Sequence, residues 1–515
     1  MKKSILLLYL KKDHKIIETN HLINSLKDES DDYNISILTF EENRKYFGYF
    51  SDSVKFETID TQFLKKISQN PLFSPSFAIT RYWNFMAKVK SYNWDKIIPY
   101  NDNSLETLIS TFVNADKSSS MKLNENGIIK YNSEWSVLNN LYFKSNKSYF
   151  HPSEIVHLIS NVKFSKNNIK IKDKPNEENF VNEQIKELRE GLENYHNLKN
   201  IKLIGISLVE MSNYFELKDI ETIVSSIIEV SDTCHPVLIS TGEEAQELLA
   251  EETRRLFHEK VTILTVDRTS EISLLKNLDF LVSLPNHQLE LSSLVNCPSI
   301  EINFNSQTSL TGLVNDNAYK INVFDSLKVK TISETIDHAL FGKNIDEING
   351  QIIKSNFNSE IGYINIRSES IEIDTVKKKI IHLSMNPQLI LKNKKIKDIK
   401  IKASIFNEVK KASSLILNAL RIHKVGINNS QKLTTFIQAV SALWENSHQY
   451  EFIAPTLIHF QGRIENIDAN TNPAQLISSL ENELFSLKDR LKNIQGQLTA
   501  SDEELTSTNI QTATT

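Results

Sequence analysis

The sequence predicts an α/β protein, two successive parallel-sheet units followed by a mainly helical extension. Apolar runs of strand length alternate with amphipathic runs of helix length through residues 1–342. One polar stretch rich in Asn and Lys, "SKNNIKIKDKPNEENFVNEQI" at 165–185, interrupts the alternation. From residue 343 onward the pattern changes to long helical segments. Strands alternating with helices imply crossover connections, and therefore parallel sheets.

The first unit spans 1–165. Ser4 to Leu10 is a continuous apolar run, the mark of a strand covered on both faces. The run is short, stops at Lys11 and Lys12, and precedes no small-residue cleavage site, so a buried first strand is expected rather than a signal peptide. Ile16, Ile17, Leu22, Ile23 and Leu26 carry helical spacing. "YNISILTF" and "VKFETID" read as further strands, and "NWDKIIPYN" as one ending at Asn101 before the helix "SLETLISTFVNA".

Residues 166–190 are assigned to a linker on their polar composition and proline. The second unit, 191–342, has strands in "NIKLIGISLV", "HPVLIST", "VTILTV", "DFLVSL" and "PSIEIN", with helical patterns between them. The extension, 343–498, opens with the alternating "IGYINIRSESIEID", a short strand pair, and is mostly helical over 376–450. Asn472 is placed to cap a last helix, with Pro473 in its first turn and Gln475 three residues after the cap. Leu480, Leu484, Leu487, Leu491, Ile494 and Leu498 then recur in steps of four and three. Such a seam, within 472–498, either packs on its own domain or mediates self-association or partner binding. The polar tail 499–515 is expected to be disordered.

Composition narrows the function classes. The chain of 515 residues carries 59 basic and 64 acidic groups, a net charge of -5, too mild to argue for a nucleic-acid partner. Its two cysteines, Cys234 and Cys297, each lie beside a strand-like run and are expected to be buried free thiols, which suits a reducing cytoplasm. No stretch approaches the ~20 apolar residues needed to span a bilayer. The lysine-rich "KNKKIKDIKIK" at 392–402 reads as a solvated face, or as contact with an acidic polymer or an anionic membrane surface. Zinc spacings, a P-loop, a serine nucleophile elbow and Gly-x-Gly-x-x-Gly are all missing from the sequence.

Several segments, taken in order, resemble glycosyltransferase family 9, the lipopolysaccharide heptosyltransferases. They are "NWDKIIPYNDNSLETLISTFVNADKSSSM", "HPSEIVHLI" at 151, "HPVLISTGEEAQEL", "TSEISLLKNLDFLVSL" and "CPSIEINFNSQTSLTGLV". The resemblance covers residues 1–342 and implies a GT-B-like fold, a pair of Rossmann-like domains. The first domain would take the acceptor and the second a nucleotide-sugar donor. It further implies an inverting transfer from a nucleotide-diphosphate sugar to a saccharide or protein acceptor, with no cofactor and no metal.

The residues that would carry such chemistry depart from the family pattern. The family base is an aspartate in a Leu-Gly-Asp turn. Here His14 and Lys15 stand at the Gly and Asp positions, leaving Asp13 as candidate base if the turn is shortened, or as a plain surface residue. Ser207 keeps a hydroxyl after the second unit's first strand. Ser212 and Asn213 replace the expected basic pair, and Glu210 adds negative charge. Where the family has Asp-Ser/Thr-Gly-Pro-x-His, this chain has Pro285 to Glu290, so Asn286 and His287 are the remaining candidate donor contacts. Glu290 suits a helix start but would compete with a diphosphate for it. Thr311 and Gly312 survive at the family's Thr-Gly, as pocket lining or as a plain turn. Two functions follow: a glycosyltransferase, or a catalytically degenerate GT-B protein acting as a binding or scaffold subunit. In either case the implied setting is cytoplasmic, with no transmembrane segment and with peripheral membrane contact left open.

Overall fold

The structure, a computed structural model, describes residues 3–499 except 31, 70–74, 102, 144–149, 165–174, 269, 305–317, 324–327, 343–351, 359–361, 368–370, 387, 389–395, 397, 425–429, 446 and 468–471. The chain forms two compact units. Residues 1–119, 151–357 and 365–369 make the first, and residues 120–150, 358–364 and 370–515 the second.

The first unit opens with a four-stranded lobe. β1 (Lys3–Tyr9), β2 (Tyr33–Phe40), β3 (Lys55–Ile59) and β4 (Lys96–Pro99) form a parallel sheet in the order β3-β2-β1-β4. A 3-10 turn at His14–Glu18 leads into α1 (Thr19–Glu29). α2 (Thr61–Gln69) and α3 (Pro75–Ser91) make the crossover from β3 to β4, and α4 (Ser104–Asn114) follows β4. The apolar run of β1 is explained by its central place. Ile5, Leu7 and Tyr9 enter one core cluster while Leu6 and Leu8 enter another on the opposite face.

The chain next contributes to the second unit a hairpin, β5 (Met121–Leu123) with β6 (Ile129–Tyr131), and α5 (Glu134–Leu138). It returns at α6 (Pro152–Ser160), whose start explains the quartet "HPSE". The His151 ring Nδ1 accepts from the Ser153 N–H at 3.1 Å, and the Glu154 carboxylate accepts from the His151 N–H at 2.9 Å. α7 (Pro175–His196) occupies part of the stretch expected to be linker. Its Val181 and Ile185 are buried in the core, and its Arg189 donates to Asp279 at 2.7 Å and to the Ile201 carbonyl at 2.8 Å. So sparse an apolar stripe on a polar helix explains the linker-like composition.

The second lobe contains β7 (Lys202–Ser207), β8 (Cys234–Ser240), β9 (Thr262–Thr265), β10 (Phe280–Ser283), β11 (Ser299–Asn303) and β12 (Ala318–Asn322). β13 (Ile352–Asn358) and β14 (Gly362–Arg367) extend its edge, with β13 antiparallel to β12. From β9 to β12 the parallel order is β9-β8-β7-β10-β11-β12, the doubly wound sequence 3-2-1-4-5-6. Flanking it are α8 (Met211–Tyr214), α9 (Leu217–Val230), α10 (Glu244–Phe257), α11 (Glu271–Asn277), α12 (His287–Leu294) and α13 (Val329–Phe341). The pair of Rossmann-like lobes expected from the sequence is therefore formed. One apolar cluster runs through both lobes, with Ile5, Leu7 and Ile17 from the first and Leu203, Leu281 and Leu291 from the second. Cys234 and Cys297 are buried and free.

The second unit is mainly helical, with α14 (Ile371–Met385), α15 (Ile399–Lys424), α16 (Ser430–Glu445), α17 (Ala454–Glu465) and α18 (Pro473–Thr499). Asn472 does cap α18, its Oδ1 accepting from the Gln475 N–H at 2.9 Å. The leucine seam of α18 is buried in this unit's own core, from Leu480 through Leu498. Its covering comes from the same chain. Among the described residues no helix is long and apolar enough to cross a membrane.

The 120–150 excursion is fastened to the helices by ion pairs and by one close approach. Glu134 receives Arg463 at 2.7 Å and Arg490 at 3.4 Å. A Cβ on Gly462 would lie 2.0 Å from Val137 Cγ1, so α5 sits directly on the α17 backbone there. Gly462→Ala is expected to destabilise the protein by about 1–3 kcal/mol through overpacking. Gly496→Ala on α18, where a Cβ meets nothing within 4 Å, should be neutral or stabilising by up to about 1 kcal/mol. Denaturant unfolding of the two variants checks the contrast.

Candidate functional site

In a doubly wound sheet the ligand crevice lies outside the carboxyl ends of the strands, where the strand order reverses. Here those places are β1 with β4 and β7 with β10. The segments leaving them are residues 10–14, 100–101, 208–210 and 284–286. His14 Nε2 of the first lobe lies 3.9 Å from Glu290 Oε1 of the second, so the two reversal points face each other.

On the first-lobe side Asp13 caps the 3-10 turn. Its Oδ1 accepts from the Lys15 N–H at 3.2 Å and from the Tyr9 hydroxyl. Burial and the Asp13 charge push the Tyr9 phenol well up, so it stays a proton donor to Asp13. The carboxyl ends of β1 and β4 are joined by buried Glu106, which accepts from the N–H groups of Leu10 at 3.0 Å and Asn101 at 2.8 Å. Burial lowers the His14 imidazole to about 4, which leaves it neutral near pH 7.

On the second-lobe side Asn286 caps α12. Its Oδ1 accepts from the Leu289 N–H at 3.0 Å. Its Nδ2 donates to Ser207 Oγ and to the Val209 carbonyl, both at 2.9 Å. Two residues expected to contact a donor substrate thus contact each other. His287 Nε2 is 2.8 Å from Glu271 Oε1, Gln288 Nε2 donates to the same oxygen at 3.0 Å, and the Tyr49 hydroxyl of the first lobe donates to Oε2. Burial alone would raise the Glu271 carboxyl, but these partners outweigh it and hold it below the usual range. Nearby, Arg268 Nη1 donates to the Lys45 carbonyl at 3.0 Å, a second bond between lobes. Thr311 and Gly312 lie outside the described residues.

At the centre the buried carboxyls of Glu18 and Glu290 act on each other. Burial pushes both carboxyls up, and for Glu290 the charge of Glu18 adds to it. Burial would pull the Lys15 ammonium down, yet Glu18, Glu290 and Glu301 together push it up. Glu301 in turn faces Lys320 across β11 and β12, at 3.1 Å and with both side chains buried.

Asp13, Ser207, Asn286 and His287 therefore all lie at the facing strand ends, each engaged by a neighbour from its own chain. Tyr49, Glu106 and Glu271 were not singled out by the sequence. The Tyr49–Glu271 bond joins residues 222 positions apart, and no local spacing announces it.

No family model matches the chain, and no curated protein matches it in sequence. Among solved structures, the chain is similar to the ADP-heptose lipopolysaccharide heptosyltransferase II of E. coli at 9% identity, over 66% of this chain and 99% of that one, with a TM-score of 0.40. A heptosyltransferase of E. coli solved with ADP is similar at 11% identity, over 65% and 99% of the two chains, with a TM-score of 0.44. A glycosyl transferase of family 9 from Veillonella parvula is similar at 10% identity, over 66% and 98%, with a TM-score of 0.46.

The carboxyl pair sets a pH dependence. Both pKa values are raised on folding, so the stability they contribute is complete below the ordinary carboxylate range and is lost as pH rises toward the folded values. His14, lowered to about 4, works the other way, its contribution being lost as pH falls from about 6.5. Glu290→Gln removes one of the two titrating carboxyls and isolates the first effect. Its melting temperature, relative to the unsubstituted protein, is expected to rise steadily between pH 5 and pH 8. Thermal melts at three pH values check this, and a constant difference would contradict it.

Proposed function

We propose that this chain is a catalytically degenerate protein of the GT-B type that acts as a binding or scaffold subunit. The observation that supports this most is the Glu18–Glu290 pair with Lys15 where the two reversal points meet. A diphosphate entering there would meet carboxylates in place of donors. Two like charges 4 Å apart at an effective dielectric of 20 repel by about 4 kcal/mol, about a thousandfold in affinity. The charges of Glu18, Glu290 and Glu301 already act on the Lys15 ammonium.

Transfer of a sugar from a nucleotide diphosphate to a saccharide or protein hydroxyl would need more than a vacant crevice. Asp13 would have to release the Lys15 N–H and the Tyr9 hydroxyl to act as base. Asn286 would have to release Ser207 and Leu289 to receive a donor substrate. The α12 N-terminus, otherwise a ready anion site, is capped by Asn286 and carries Glu290 in its first turn.

Calorimetric titration of the full chain with ADP, UDP, GDP and their sugar conjugates, paired with an assay for released nucleotide, tests the proposal. No saturable heat and no release are expected at millimolar ligand. Release of nucleotide that Asp13→Asn abolishes would overturn the proposal in favour of an active transferase.

A further inference from the structure

The outer face of α15 has the composition of a surface-binding helix. α15 runs for 26 residues, about 39 Å at 1.5 Å per residue. Its inner face, including Ile401, Ile405, Val409 and Ile416, packs into the core of the second unit. Its one carboxylate, Glu408, accepts from the backbone N–H groups of Glu451, Phe452 and Ile453 at 2.9, 3.0 and 3.1 Å. The outer face is left without negative charge.

Along that face Ile399, Phe406 and Leu417 are 80, 45 and 44% exposed. Spacings of seven and eleven residues place them on one line at about 100° per residue. Lys402, Lys410, Arg421 and Lys424 lie within about 60° of the line, and none of them forms an ion pair among the described residues. The sequence just before the helix adds Lys392, Lys394, Lys395 and Lys397.

We infer that the outer face of α15 docks on an anionic lipid membrane, its three apolar tips entering the headgroup boundary and its cations meeting lipid phosphates. A soluble polyanion would leave the apolar tips in water. A protein interface gathers its apolar contacts in a central patch and is poor in lysine. Here apolar and cationic side chains alternate along some five turns, about 27 Å, which fits a flat surface of laterally free headgroups. The inference does not depend on whether the first unit transfers sugars.

The test is flotation of the full chain with vesicles of phosphatidylcholine containing 40% phosphatidylglycerol, against vesicles of phosphatidylcholine alone. Partitioning to the anionic vesicles is expected to be at least about tenfold stronger and to weaken in 0.5 M salt. The combined variant Lys402→Glu, Lys410→Glu and Arg421→Glu should lose at least about tenfold. The pair Phe406→Ser and Leu417→Ser should also weaken binding while leaving the charge unchanged. Circular dichroism melts show which variants fold, and if the charge variant does not, the serine pair decides. Equal partitioning to both vesicles, unchanged binding of the folded variants, or binding to polyglutamate as tight as to vesicles would each overturn the inference.

Discussion

The mutual electrostatics of Glu18, Glu290 and Lys15, at the facing strand ends where His14 lies 3.9 Å from Glu290, is the constraint on which the arrangement of the two lobes depends. Buried carboxylates are costly unless paired and hydrogen-bonded, and breaking such a set by removing one member leaves an uncompensated charge. The facing strand ends meet that cost from within, the Lys15 charge acting against Glu18 and Glu290 and Lys320 pairing with Glu301 at 3.1 Å. Around it the Tyr49–Glu271–His287 chain and the Arg268–Lys45 bond join the lobes again. The apolar cluster passing through both lobes closes the same seam from below.

The same economy recurs wherever the sequence looks functional. A helix N-terminus with free N–H groups is an anion site. In this chain those groups are satisfied locally, by Asn286 at α12, by Asp13 at the turn after β1, and by the His151–Glu154 box at α6. Side chains that in a transferase would face substrate here fix the ends of their own elements. The proposal of a degenerate site draws further support from this reassignment.

The strands could be read in advance because each central strand is covered on both faces and so appears as an unbroken apolar run, as in β1 and β10. The alternation of strands and helices announced parallel sheets, while the strand order, and with it the reversal points, is seen only in the structure. Interactions across long sequence separations could not be read. Glu134 and Gly462 bring residues 120–150 to the helical unit, although the local pattern of that stretch continues the first α/β domain. The α18 seam was visible as a stripe, but a stripe does not say which surface covers it. Asp13, Ser207, Asn286 and His287 lie near strand ends, while their partners, set by tertiary packing, were beyond any local rule.

Coupling between the lobes can be measured directly by a double-mutant cycle on Lys15→Met and Glu290→Gln, read from denaturant unfolding near pH 7. The account predicts a coupling energy of at least about 1 kcal/mol between these two residues, which belong to different lobes. Effects that add within about 0.3–0.5 kcal/mol would mean that the two residues do not hold the lobes together, and the closed, self-satisfied crevice would be contradicted.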